Sequence, residues 1–365
     1  MKTKAQSNKA SLKGRHLSIS TLVLTAALLL WSPSSQLQAQ SDYPEGIPLI
    51  GVLSQPATHS LHKQFAVPSQ FQSYIAQSSI DYIDQSGAIP IVIPYDAPLS
   101  LFNSILENIQ AVVVPSGSTF LHTESGSPTF YQQRVSSVVD FASRKNLAGI
   151  HFPVLGIGSG MHSVVSALVG KDLIHCGLDD IHKTHILVKT RDFGNSAFWS
   201  QIDKKVVDAV LMNKSLYFSH DCGLRVQDLL KNSKFQNCCT VTTTATTSNG
   251  IQFAATAEHK TLPIRAVEFN PEMTQYEKLG VGKRWLPRPI ETLKFVSSMI
   301  MELAESVRKY SVPVASLKPV VQNFNAMYYQ GVKTSWSAHD DVVVIPRYQP
   351  DLEQVEQQGA AMSLE

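Results

Sequence analysis

Cysteine and charge are both scarce in this chain. Four cysteines, Cys176, Cys222, Cys238 and Cys239, stand among 365 residues, and none has the spacing of a zinc site. Charged side chains make up 16% of the sequence and hydrophobic ones 43%, a balance that excludes a disordered polyelectrolyte and suits a large buried core. There is no internal repeat and no long low-complexity segment. The apolar run Leu22–Trp31 is shorter than the roughly 20 residues a membrane-spanning helix needs, so no stable transmembrane span is expected. One globular domain with appendages is the default.

The appendage at the start has a clear pattern. Lys2, Lys4, Lys9, Lys13 and Arg15 precede the apolar run, and small and polar residues follow it through Ala39. That order reads as a secretory leader over 1–40, cut near Ala39, with an uncleaved anchor as the alternative. Loss of those five cations and of no carboxylate takes the formal net charge from +2 to −3. A mildly acidic mature chain gives no support to a nucleic-acid partner. In an oxidising compartment the four cysteines allow three full pairings, and the sequence does not choose among them. Asn213-Lys-Ser215 is a glycosylation sequon that fits such a route.

From Pro48 onward the pattern alternates. Apolar Leu49–Leu53, Ile89–Ile93 and Ala111–Val114 predict strands, and the amphipathic stretches from Phe71 to Gln85 and from Leu99 to Asn108 predict helices. This is βαβαβ, hence a parallel sheet with helices on both faces. A helix from Phe130 to Lys145 follows, then a strand Pro153–Leu155, the sharp turn Gly156-Ile-Gly-Ser-Gly160 and a helix from about Met161. Strand, tight turn and helix make the geometry of a nucleophile elbow. Further on, Trp199–Met212 reads as helical and Ser215–Ser219 as extended. Cys239–Thr247, Ile251–Ala257 and Ile264–Phe269 read as strands, with Asn249-Gly250 as a hairpin turn, and Leu293–Val307 as a last packed helix. In the less regular remainder, Val342–Ile345 predicts an edge strand. The expected organisation is a leader over 1–40, an α/β domain over 41–310, a C-terminal extension over 311–346 packed on it and a mobile tail over 347–365.

Ligands bind at the carboxyl ends of strands in such sheets. The turns to inspect are Pro115-Ser-Gly-Ser118, Gly156–His162, Ser219-His-Asp221 and Asn270-Pro-Glu272. Here the sequence resembles a known family. Val267-Glu-Phe-Asn-Pro-Glu272 is similar to V-Q-W-H-P-E, and Leu155-Gly-Ile-Gly-Ser-Gly-Met-His162 to W-G-T-C-L-G-F-E, both signatures of the γ-glutamyl hydrolases. Ile47–Leu53, Tyr74–Ala88 and Val114–Ser118 resemble that family's first strand, first helix and F-P-G-G-S loop. Asn323–Ile345 resembles the C-terminal extension of plant and protist members. The resemblance implies a class I glutamine amidotransferase-like fold with a flavodoxin-like core, cleavage of γ-glutamyl bonds in folylpoly-γ-glutamates, no cofactor and no metal, a homodimer, and an extracellular or lysosomal or vacuolar location.

Placed residue by residue, the resemblance also exposes losses. Gly158 falls where the nucleophilic cysteine belongs and Asn270 where the general-base histidine belongs, while Glu272 matches the carboxylate that orients that histidine. An amide has no usable basicity near neutral pH, and glycine has no side chain, so the covalent route is expected to be silent. Ser116 and Gly117 still offer backbone N–H groups to an oxyanion, and His220 falls where the family places a histidine of the substrate pocket. A glutamyl-bearing small molecule or peptide is the expected ligand. An alternative is an active peptidase using Ser159 with His220 or His162, although Ser159 is one residue out of register for an elbow nucleophile. His162 stands where the family has glutamate and reads chiefly as a satisfied polar residue. Cys222 reads as a disulfide partner, Glu272 as a relic holding the turn, and His175, His182 and His185 lack a metal-ligand spacing. A third alternative is an interaction or structural protein with a vestigial cleft, favoured by a cleft filled with side chains.

Overall fold

Strands that are apolar throughout alternate with helices that are apolar on one face, and the hydrogen-bond ladder follows from that order. The computed structural model describes residues 46–57, 71–117, 119–178, 181–277, 280–281, 284–285, 288–310, 331–333 and 341–346. The expected leader, the tail and most of the C-terminal extension lie outside the described residues.

Eight strands form the main sheet: β1 (Leu49–Leu53), β2 (Ile89–Ile93), β3 (Ala111–Val114), β4 (Val154–Ile157), β5 (Val188–Lys189), β6 (Cys239–Thr246), β7 (Gln252–His259) and β8 (Ile264–Val267). Their order is β2-β1-β3-β4-β8-β7-β6-β5. The pairings from β2 to β8 are parallel, and those from β8 to β5 are antiparallel. Besides the short helices Val226–Lys231 and Ser233–Cys238, the described residues form α1 (Gln77–Asp84), α2 (Leu99–Asn108), α3 (Phe130–Leu147), α4 (Ser159–Val169), α5 (Lys204–Met212), α6 (Pro271–Tyr276) and α7 (Ile290–Arg308).

Residues of β1 alternate between two cores. Ile50 and Val52 pack with Ile80 and Tyr82 of α1 and with Phe295 and Ile300 of α7. Leu49 and Leu53 pack on the opposite face with Phe102 and Ile105 of α2 and Val135 and Val138 of α3. A parallel sheet is stable when both faces are covered in this way, each buried large apolar side chain contributing about 1.5–3 kcal/mol. This is the class I glutamine amidotransferase-like arrangement, an α/β sheet with helices on both faces.

Local departures from the sequence pattern have physical causes. The stretch from Phe71 to Gln85 is not one helix, because Phe71–Ala76 is a strand that leads directly into α1. It pairs antiparallel with Gln55–Pro56 and with Asp341–Pro346. The latter strand therefore lies inside a four-stranded sheet, between Gly331–Lys333 and Phe71–Ala76, and not at an edge. Trp199–Met212 breaks into a short 3-10 turn and α5, because the Asp203 carboxylate accepts from the N–H groups of Lys205 and Val206 and starts the helix there. The Asn249-Gly250 turn joins β6 to β7, with Gly250 at φ 84°.

The first turn of α4 lies directly against the end of β3. A side-chain carbon on Gly160 would overlap the Val114 carbonyl. Gly160→Ala is expected to lower the unfolding free energy by about 1–3 kcal/mol or more, read from urea unfolding. An unchanged midpoint would contradict this close packing.

Candidate functional site

Three adjacent parallel strands end at one place. Val114 of β3 is paired with Gly156 of β4, and Ile157 of β4 with Val267 of β8. The turns after β3, β4 and β8 are thereby neighbours, and they carry Ser116, Gly158 and Glu268. A fourth segment joins them. The strand Leu216–Ser219 is tied to the turn after β8 by a hydrogen bond from the Asn270 N–H to the Tyr217 carbonyl, and His220 follows it. The disulfide Cys176–Cys222 joins the paired strands Ile174–Cys176 and Cys222–Leu224 just after His220, while Cys238 and Cys239 are free thiols, so none of the three full pairings is formed.

Gly158 is the elbow residue, with φ 55° and ψ −122°, and α4 begins at the next residue. Its N–H donates to the Val267 carbonyl at 2.7 Å. The space where its side chain would stand is occupied. A carbon built there would lie 2.5 Å from His220 Cε1 and 2.7 Å from Ser116 Oγ. These two residues meet across the gap, with Ser116 Oγ 3.0 Å from His220 Nε2.

The state of the His220 ring follows from its neighbours. The backbone N–H of Ser159 donates to Nε2 at 3.1 Å, so Nε2 carries no proton and the Ser116 hydroxyl is also a donor to it. The neutral ring then holds its proton on Nδ1, whose nearest carboxylate oxygen, Glu268 Oε1, is 3.9 Å away. Burial pushes the His220 pKa down to about 4, the neighbouring Glu268 charge opposing that shift and His162 adding to it.

Glu268 is 2% exposed, and a carboxylate there needs a partner. His162, also buried, supplies it: Nε2 lies 2.8 Å from both carboxylate oxygens. Where the family pattern has glutamate and glutamine at 162 and 268, this chain has imidazole and carboxylate. His162 is thus a satisfied polar residue of the site floor, with its ring 5.8 Å from that of His220.

Asn270, wholly buried, stands at the N-terminus of α6 before Pro271. Its amide nitrogen donates to Glu272 Oε1 at 3.2 Å, a bond within the turn that opens α6. Ser159 is not directed at an imidazole. Its hydroxyl donates to the Gly117 carbonyl and accepts from the Gly117 N–H, each at 2.8 Å. The Gly117 N–H, one of the expected oxyanion donors, and the Ser159 N–H at the start of α4 are therefore both taken within the chain. Sequence reasoning missed Glu268 and the role of the Ser116 hydroxyl. A signal for the first was present, since an acidic residue between Val267 and Phe269 at the end of a buried strand requires a buried partner.

The low proton affinity of His220 has a consequence for stability. Between about pH 6.5 and pH 4 the unfolded chain takes up a proton at this histidine that the folded chain refuses, so stability falls as pH drops through that window. Urea unfolding midpoints measured from pH 7 to pH 4 are expected to fall less steeply for His220→Gln than for the unaltered chain. Equal slopes would contradict the burial of this ring.

Comparison with known proteins bears on the same segments. The Peptidase C26 family model matches residues 48–271. The γ-glutamyl hydrolase of Mus musculus is 22% identical over 324 residues, 87% of this chain and 97% of the relative. γ-Glutamyl hydrolase B of Dictyostelium discoideum is 22% identical over 77% of this chain and 79% of its own length. A probable γ-glutamyl hydrolase 3 of Arabidopsis thaliana is 24% identical over 82% and 83%. Among solved structures, a protein of Thermoplasma acidophilum assigned as a GMP synthase component overlays with a TM-score of 0.41 at 12% identity, covering 72% of this chain and 98% of that one. The family match spans more than half the chain and takes in the elbow turn and most of the second signature, and the chain belongs to the Peptidase C26 family, to which it is related through γ-glutamyl hydrolases.

Proposed function

We propose that this chain is a γ-glutamyl hydrolase homologue in which the family's cysteine route is silent, and that its cleft receives a glutamyl-bearing small molecule or peptide. The observation that carries the first half is Gly158: the elbow is built, yet the nucleophile's side chain is absent and its space is held by His220 and Ser116. The second loss, Asn270, removes the base that would have served that thiol. Family membership and the place of these turns at the carboxyl ends of β3, β4 and β8 support the ligand class. The basic and apolar leader pattern of residues 1–40 and the Cys176–Cys222 disulfide support a secretory route.

One observation favours the other reading, of an interaction protein with a vestigial cleft: the Gly117 and Ser159 N–H groups are satisfied internally. Equilibrium binding of a poly-γ-glutamyl folate to the purified mature chain separates the two. Saturable binding is expected, together with no release of glutamate that iodoacetamide abolishes. Alkylation-sensitive release would overturn the silent thiol route, and absence of binding would favour the vestigial cleft.

A further inference from the structure

One of the two residues that fill the space at the elbow carries a hydroxyl. We propose that Ser116 is an acyl-accepting nucleophile, with His220 as its base and Glu268 stabilising the charged ring, acting on a γ-glutamyl amide or ester. The substrate class rests on the function proposed above; the assignment of the nucleophile does not.

Three observations meet at this point. Ser116 Oγ is within hydrogen-bond reach of His220 Nε2 and only 2.7 Å from where a side-chain carbon on Gly158 would stand. It thus enters the elbow's reactive space from the facing turn, and it is partly exposed. The Ser159 N–H fixes the ring tautomer that a base needs, with Nε2 free of a proton and facing the hydroxyl. On the far side of the ring, Nδ1 has no hydrogen-bond partner among the described residues, and the buried Glu268 carboxylate lies 3.9 Å away. Hydrogen bonds of this kind often lengthen without substrate and tighten with it. Ser159 does not compete for the role, since its own hydroxyl is bonded to both the N–H and the carbonyl of Gly117.

The steps balance with water as the only co-reactant. As Ser116 Oγ bonds to the acyl carbon, its proton passes to Nε2 and the carbonyl electron pair moves onto oxygen. A protonated Nε2 no longer accepts from the Ser159 N–H, so that donor is released as negative charge develops on the oxygen. Collapse breaks the carbon–nitrogen bond of an amide, or the carbon–oxygen bond of an ester, and the leaving group departs with the proton from Nε2. Water, deprotonated by the same nitrogen, then cleaves the acyl-enzyme ester and restores the hydroxyl. Burial of His220 makes the first proton transfer uphill, so turnover is slow and covalent trapping is the sensitive readout.

The test is a fluorophosphonate probe on the purified mature chain, with the adduct mapped by mass spectrometry. An adduct on Ser116 is expected. Ser116→Ala and His220→Gln should each slow labelling by about a hundredfold or more, whereas Ser125→Ala, an exposed serine on another turn, should label at the original rate. Ser116→Cys preserves the side-chain shape and should move labelling at that position from fluorophosphonate to iodoacetamide. An adduct on any other serine, or none on a chain shown to be folded by circular dichroism, overturns the proposal. Labelling at Ser116 without binding of poly-γ-glutamyl folate upholds the nucleophile and removes the ligand class instead.

Discussion

Strand β4 and helix α4 join through Gly158 alone, and the backbone there takes φ 55° and ψ −122°. An L-residue with a side chain holds such a conformation only under strain that the surrounding structure must offset. Glycine holds it without that cost. The tight junction brings the end of β4 beside the turns after β3 and β8, and Gly160 lets the first turn of α4 seat against Val114. With no side chain at the elbow, His220 and Ser116 close on each other across it. The elbow geometry is thus built without a side chain at its apex.

Electrostatics then orders the floor of the site. Glu268 is held by His162 at 2.8 Å and faces His220 from the other side, so one buried carboxylate lies beside two imidazoles. His220 stays neutral because burial outweighs the attraction of Glu268. The Ser159 N–H decides which of its nitrogens carries the proton. Asn270 and Glu272 make a separate hydrogen bond within the turn that opens α6.

Much of the fold was legible because local pattern and burial coincide. Continuous apolar runs mark β1, β2 and β3, and the helix over Leu99–Asn108 matches the predicted bounds. The strand Phe71–Ala76 reads as helix in the sequence because its pairing with Gln55–Pro56 and with the remote Asp341–Pro346 leaves no local signal. At the site, Gly158, Asn270 and Glu272 could be placed by signature spacing alone. The pairing of Ser116 with His220 could not, since it joins turns 104 residues apart and depends on a ring filling a space that the sequence shows only as a missing side chain. Ser159 stands between Gly158 and Gly160 in a pattern that resembles an elbow, whereas its bonds to Gly117 are visible only in three dimensions.

The chemistry of the site turns on the protonation of one ring. Nitrogen-15 NMR of the His220 imidazole at pH 7 reads it directly, with assignment by comparison to His220→Gln. An unprotonated Nε2 and a protonated Nδ1 are predicted, as the Ser159 N–H requires. A protonated Nε2 would contradict the arrangement of Ser116, His220 and Glu268 from which the site's chemistry is derived.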